Sequence, residues 1–336
     1  MRLLKIAQIG VGYWGPNLLR NLMSNQRCHV TAAVDQSQER LDYVHRLYPA
    51  IRVSDNAEDI LQDPHIEAVV IATPVATHYD LAVKVLNAGK HVLVEKPMAR
   101  SVSEVEEIGR ISEEKGRVAM VGHTFLFNGA VRYVKRLIDS GELGDIRYVY
   151  SQRLNLGRIR SDVDALWNFA PHDISIIQYW LDDPTPLSVT KRGIDIIQSG
   201  IEDVVFLNII YPHKIMANIH VSWLDPNKVR SMTVVGSRKM VVYDDIAENK
   251  IAIYDKGIDR KASLGEHMDY DNQPFPIFNY RSGDILLPRV DFQEPLSVEI
   301  DHFLDCIENG TKCIAGVEHA KKVVAILASA TDHQFR

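Results

Sequence analysis

Leu4-Lys5-Ile6-Ala7-Gln8-Ile9-Gly10-Val11-Gly12-Tyr13-Trp14-Gly15-Pro16 decides the fold. An apolar run ends in a G-x-G-x-x-G turn, and the helix formers of Pro16 to Met23 follow at once, the strand, turn and helix start of a dinucleotide-binding βαβ unit. Gly10 permits the tight turn, Gly12 lets a pyrophosphate approach the backbone, and Gly15 allows the helix to pack close on the strand. Free N–H groups at the helix start attract the anion. Tyr13 and Trp14, between the glycines, are grouped with them as cofactor-binding. Asp35 closes the next run, His29 to Val34, 20 residues after Gly15. A carboxylate there accepts hydrogen bonds from ribose hydroxyls and repels a 2′-phosphate, so the expected cofactor is NAD, with NADP the alternative. Arg40, one turn into the following helix, reads as a solvated charge rather than a phosphate clamp.

Outward from this stretch, Leu4 to Ile9, His29 to Val34, Ala68 to Ala72, His91 to Val94 and Val118 to Val121 alternate with helical patterns, as parallel βαβ units do. Residues 1–122 are thus expected to form a doubly wound Rossmann domain. After about Asn128 the texture changes. A crossover helix over Gly129 to Asp139, a strand over Ile146 to Leu156 and a helix over Asn168 to Trp180 lead into six short β-rich runs between Ser188 and Tyr254. Residues 123–336 are expected to be an α+β domain with a large, mostly antiparallel open sheet. The stretch from about Lys256 to Arg289 lacks periodicity and reads as a long loop. Helices near Pro295 to Ile307 and Val317 to Thr331 close the second domain.

The totals narrow the chemistry. The length of 336 residues favours two cores over one. A formal charge of −6 gives no basic field for nucleic acid or anionic lipid, so the expected partner is a small molecule. No apolar run approaches a membrane span, the start lacks a cleavage-type site, and a cytoplasmic location is expected. Cys28, Cys306 and Cys313 lack the C-x-x-C spacing of zinc or redox sites. They read as reduced thiols, with no metal.

Two further loops fall at carboxyl ends of predicted strands, where such sheets bind ligands. Thr73-Pro74 follows the third apolar run, with His78 able to face the pyrophosphate or to sit on a helix surface. Glu95-Lys96-Pro97 follows the fourth and puts an amine where a nicotinamide should lie. Burial and the positive oxidised ring would both lower the lysine pKa, which suits it to donate or relay a proton. The second candidate for acid-base work is His172 in Trp167-Asn168-Phe169-Ala170-Pro171-His172-Asp173. Pro171 suits a first helical turn, and the helix dipole at such a start would keep His172 neutral as a base requires. Asp173 reads as a cap. Arg153, Asn155 and Arg158 alternate along what reads as a strand, and guanidinium forks suit a diphosphate or carboxylate.

With Gly10 to Gly15, Ala72-Thr73-Pro74, Glu95-Lys96-Pro97, Gly122-His123-Thr124-Phe125 and the helix bearing His172, the chain resembles the glucose-fructose oxidoreductase / inositol dehydrogenase family over essentially its whole length. The resemblance implies a sugar or polyol oxidoreductase in which Lys96 and His172 act together on a hydroxyl. The family often has an Asp four residues before the histidine; here stands Asn168, which can orient a substrate but cannot carry charge. Trp167-Asn168-x-x-Pro171-His172 and the arginine segment are similar to members acting on nucleotide-linked sugars, among them UDP-N-acetylglucosamine 3-dehydrogenases and sugar 3-ketoreductases. The implied substrate-binding set is Arg153, Asn155, Arg158, Trp167, Asn168 and His172. The implied reaction is hydride transfer at C3 of a nucleotide sugar such as UDP-N-acetylglucosamine. Its rivals are 3-keto sugar reduction, inositol or polyol oxidation, and a non-catalytic dinucleotide-binding module. The resemblance also implies a homodimer or homotetramer built on the open sheet face.

Overall fold

The computed structural model describes residues 3–260 and 278–332. They form two compact units: Met1–Asn128 with Ile174–Gln178 and Phe292–Arg336, and Gly129–Asp173 with Tyr179–Asp291.

In the first unit, β1 (Leu4–Ile9), β2 (Cys28–Val34), β3 (Arg52–Ser54), β4 (Ala68–Ile71), β5 (His91–Glu95) and β6 (Ala119–Gly122) make a parallel sheet in the order β3-β2-β1-β4-β5-β6. Its central strands are buried on both faces, β4 along its whole length, and therefore read as unbroken apolar runs. The chain switches direction beside β1, between β2 and β4, and ligands of doubly wound sheets bind at this switch, off the carboxyl ends. Strand β3 escaped the sequence reading because three residues at a sheet edge, none of them buried, carry no apolar run. The unit's helices include α1 (Gly15–Ser24), α2 (Gln38–Leu47), α3 (Glu58–Leu61), α4 (His78–Asn87) and α5 (Val102–Lys115), and α6 (Gly129–Asp139) opens the second unit. Helix α5 shows why such segments start and stop: Ser101 and Glu104 form a reciprocal capping box, and Gly116 ends it at φ 60°.

The two C-terminal helices, α8 (Pro295–Asn309) and α9 (Val317–Asp332), were expected in the second domain but group with this first unit. The physical reason lies in their contacts. Arg27 reaches Asp305 and Glu308 of α8 at 2.8 and 2.6 Å. Gly109 of α5 admits Val317 of α9 so closely that a β-carbon would stand 2.8 Å from its Cγ1. The first unit also extends to Asn128 rather than ending at residue 122.

In the second unit, β7 (Ile146–Leu156), β8 (Ser188–Ile194), β9 (Val204–Tyr211), β10 (Ile215–Ser222), β11 (Leu224–Gly236), β12 (Met240–Asp244), β13 (Ile251–Arg260) and β14 (Phe278–Leu286) form one sheet in the order β14-β13-β12-β11-β7-β10-β9-β8. The β7–β10 pair is parallel and the others are antiparallel. Strands β13 and β14 correct the expectation of a loop over 256–289. Their Asp, Lys and Gly content hid strands at the sheet's end, and burial imposes no alternation on β14; residues 261–277 lie outside the described residues. Period-2 alternation is plain in the middle of the sheet. Val205, Leu207, Ile209, Ala217, Ile219 and Val221 are buried, while Tyr148, Tyr150, Phe206 and Met216 remain exposed on the other face. Among the described residues no helix is long and apolar enough to cross a membrane.

Candidate active site

The glycine turn is held from inside the sheet. Gln8 is fully buried, and its amide nitrogen donates to the carbonyls of Gly10 and Gly15, both at 2.9 Å. A β-carbon on Gly10, at φ +94°, would lie 2.5 Å from Ala72 O, and one on Gly15 would lie 2.5 Å from Gly10 O. Both glycines are therefore demanded by close approach. Helix α1 opens with no side-chain cap and no acidic residue in its first turn, which leaves its N–H groups for an anion. Gln8 was missed in the sequence because a polar residue inside a strand announces itself only once its partners are known.

Asp35 accepts N–H hydrogen bonds from Val11 at 2.7 Å and Ser37 at 3.0 Å, so its carboxylate is tied to the turn. Arg40, expected as a plain surface charge, leans back onto this corner. Its Nη1 is 3.6 Å from Asp35 Oδ2 and 3.2 Å from where a Gly12 β-carbon would be. Tyr13 is 87% exposed and Trp14 is exposed beside it. These placements fit a dinucleotide: donors for phosphates, a carboxylate for the ribose, and aromatic surfaces at the turn.

His78 is corrected. It does not face outward toward a pyrophosphate; it is buried, with Nδ1 2.8 Å from Pro97 O and Nε2 2.8 Å from Thr73 O. It braces the loop after β4 against the loop after β5. Burial lowers its pKa, the two carbonyl partners oppose this, and the Lys96 charge lowers it further. Thr73 accepts the Thr77 hydroxyl at 2.7 Å, and Pro74 stands exposed beside it.

Lys96 follows β5 and is half-buried, with its N–H donating to the Glu95 carboxyl at 3.2 Å. Burial raises the Glu95 pKa to about 7, against the pull of Lys96. Gly122 makes room for that carboxyl: a β-carbon there would be 3.2 Å from Glu95 Oε1. Behind it lies Glu299 of α8, fully buried, accepting the Thr124 hydroxyl at 2.8 Å and held well above its ordinary pKa by burial and by Glu95. His123, also buried, is kept neutral by burial, His319 and Lys96 in that order. Glu299 was not singled out from the sequence, since it lies some 200 residues from the strand it supports.

His172 belongs to the second unit and is half-buried. The helix that carries it, α7, runs Ala165–Trp180, so two expectations change. Pro171 lies inside the helix rather than in its first turn, and His172 sits two turns from the start, beyond the short reach of the dipole. The real cap is Asp164, whose carboxylate accepts the Trp167 N–H at 2.8 Å. Asp173 is no cap. It is buried and accepts the Ser151 hydroxyl at 2.7 Å and Arg153 Nε at 2.7 Å.

Arg153, expected as an anion fork for substrate, is thus committed to Asp173, because an arginine 7% exposed needs a carboxylate partner. Asn155 lies on β7 against Gly157, and Arg158, beyond the end of the strand, is exposed. The three do not form one row. Trp167 and Asn168 are half-buried in the first turn of α7.

A parallel sheet in this order, with a glycine turn at the switch and a carboxylate after β2, defines a nicotinamide-dinucleotide-binding Rossmann domain joined to an α+β partner. Residues 4–123 match the oxidoreductase family with NAD-binding Rossmann fold, and residues 131–242 match the GFO/IDH/MocA C-terminal domain. The chain belongs to the GFO/IDH/MocA family.

Among its relatives, 4-carboxy-2-hydroxymuconate-6-semialdehyde dehydrogenase of a Sphingobium strain is 32% identical over 52% of this chain and 58% of its own. Two other curated relatives match over 37% and 35% of their lengths, so the chain spans about half or less of these proteins. The NAD(+)-dependent scyllo-inositol 2-dehydrogenase of Bacillus subtilis is 25% identical over 91% of this chain and 86% of its own. The structure of UDP-N-acetylglucosamine 3-dehydrogenase GnnA from Acidithiobacillus ferrooxidans superposes with a TM-score of 0.79 at 21% identity, covering 98% and 96% of the two chains; this shows likeness of fold.

Proposed function

We propose that the chain is an NAD-dependent dehydrogenase that oxidises a sugar hydroxyl, at C3 of a nucleotide-linked sugar such as UDP-N-acetylglucosamine. The observation that carries this is Lys96. It stands at the carboxyl end of β5, on the sheet edge that carries the glycine turn and Asp35, and its charge is felt at buried His78 and His123.

NAD, held by the α1 N–H groups and the Asp35 carboxylate, would supply the hydride acceptor. Lys96 donates a hydrogen bond to the hydroxyl oxygen and stabilises the alkoxide charge that develops as the hydride leaves. His172 accepts the hydroxyl proton, and Asn168 orients the sugar by hydrogen bonds without taking part in proton transfer. The Asp35 carboxylate, with both oxygens accepting backbone N–H groups, is an acceptor suited to ribose hydroxyls and hostile to a 2′-phosphate, which favours NAD over NADP. Trp167 and Arg158 are assigned to the sugar nucleotide on sequence pattern.

The test is nicotinamide absorbance with NAD or NADP and a panel of UDP-N-acetylglucosamine, other nucleotide sugars and free polyols. Reduction with the nucleotide sugar, lost at least a hundredfold in K96A and H172A, is the expected result. Turnover restricted to polyols would move the substrate to the inositol side, which the Bacillus subtilis relative supports. Full activity in both variants would overturn the mechanism. The exposed row Tyr148, Tyr150, Phe206 and Met216 on the second unit's sheet supports self-association through that face, and light scattering of Y150E against the wild type tests it. A cytoplasmic location is tested by cell fractionation.

A further inference from the structure

Helix α8 ends at Asn309, and Gly310, at φ 65°, turns the chain back. The returning segment is fixed to the Rossmann sheet: Val121 N–H donates to Ala315 O at 2.9 Å, and Gly316 bridges Met120 of β6. The turn brings Cys313 back against α8, where a ring nitrogen of His302 and the sulfurs of Cys306 and Cys313 lie within 4.8 Å of one another. Cys306 Sγ is 3.5 Å from His302 Nε2, and the same nitrogen accepts the Ile314 N–H at 3.1 Å. The ring leans on Phe127, with centroids 5.3 Å apart.

One nitrogen and two sulfurs would suit a soft cation. Here, however, the lone pair of His302 Nε2 already receives the Ile314 backbone N–H, which leaves that nitrogen none for an ion. The chemistry left to the cluster is that of a dithiol. We infer that Cys306 and Cys313 are a redox pair that closes reversibly into a disulfide, tying the last turn of α8 to the segment running along β6.

Cys306 supplies the thiolate. The hydrogen bond from Cys313 lowers its pKa to about 5, against the cost of burial. The same bond and burial push Cys313 up, so it keeps its proton. With a peroxide as oxidant, the Cys306 thiolate attacks one peroxide oxygen. The O–O bond breaks, hydroxide leaves, and Cys306 becomes a sulfenic acid. The Cys313 sulfur then attacks the sulfenyl sulfur: the S–S bond forms, the S–O bond breaks, and the Cys313 proton leaves with that oxygen as water. A small dithiol reverses the change by thiol–disulfide exchange. Cys28, whose thiol burial pushes up to about 11, stays out of the reaction and serves as an internal control.

The experiment treats the full chain with hydrogen peroxide, unfolds it in denaturant, blocks free thiols with iodoacetamide, and reads the intact mass. Expected is one alkylated cysteine, Cys28, a loss of two hydrogens, and return of all three thiols after dithiothreitol. Non-reducing digestion of the wild type should show a peptide linking Cys306 to Cys313, which needs no variant to fold. In C313S, dimedone should trap a sulfenic acid on Cys306, while C28S should behave as the wild type. Three alkylatable thiols after peroxide, a disulfide between chains, or a stoichiometric zinc ion that shields both sulfurs until a chelator is added would each overturn the inference. The last would make the cluster a metal site.

Discussion

Replacing Arg153 with methionine separates two roles for one residue. The Arg153 and Asp173 side chains are 7% and 1% exposed, joined at 2.7 Å and 3.3 Å. Methionine fills much of the same volume but leaves the Asp173 carboxylate buried with only the Ser151 hydroxyl among the partners described above. Removing one member of a buried ion pair costs about 3–5 kcal/mol, because the survivor stays desolvated without its counter-charge. For a unit of this size that corresponds to a fall in Tm of roughly 6–20 °C. Calorimetry should show this loss in R153M. The double variant R153M/D173L, which removes both charges, should regain most of it, since replacing both partners with apolar groups is often near neutral. A loss under about 1 kcal/mol in R153M, the range of exposed pairs, combined with a raised KM for a nucleotide sugar, would refute the structural role and return Arg153 to the substrate.

Three other perturbations test the first unit. Gly10→Ala forces a β-carbon to 2.5 Å from Ala72 O at φ +94°, a strain of about 2 kcal/mol or more; NAD affinity by calorimetric titration should fall at least tenfold, and an unchanged Kd would contradict the close-approach assignment. Burial raises the Glu95 pKa from 4.5 to about 7, so the folded state holds this proton where the unfolded chain releases it. Its contribution to stability is therefore full below about pH 4.5 and is lost as pH rises to about 7. Glu95→Gln should flatten that part of the Tm–pH profile relative to the wild type, and parallel profiles would show that the carboxyl is not buried in this way. Asp35→Ser removes the carboxylate and leaves Arg40, 3.6 Å from it, free to meet a 2′-phosphate; the ratio of NADP to NAD affinity should rise at least tenfold, and an unchanged ratio would remove Asp35 from the adenosine end.

What could be read in the sequence was what local patterns encode. The glycine turn and its flanking strand and helix form one continuous stretch, and β1, the turn, α1 and β2 follow one another in the order read, with Asp35 directly after β2. The position of Lys96 was legible because the apolar run of β5 ends just before it. Contacts made across sequence distance were not legible. Arg153 looked like an anion fork because its partner Asp173, 20 residues on, looked like a helix cap. Helix α7 starts at Ala165, three residues before the expected Asn168, because the Asp164 carboxylate caps it. Strand β14 lacked alternation because its side chains from Tyr280 to Leu286 are exposed or half-buried, so no buried face is imposed. Cys306 and Cys313, seven residues apart, match no familiar spacing; the turn at Gly310 and the anchoring on β6 bring them together.

The return of α8 and α9 to the first unit has a consequence for synthesis. The Rossmann sheet is translated first, yet the helices that cover Gly109, hold Arg27 and carry Glu299 beneath Thr124 come last, after all of the second unit's sheet. On the ribosome the nascent sheet must wait for them with an apolar flank uncovered, as vectorial folding requires of any unit assembled from both parts of a chain. Residues 1–128 expressed alone would keep that flank bare and should aggregate, whereas the same residues supplied with 292–332 in trans have their cover.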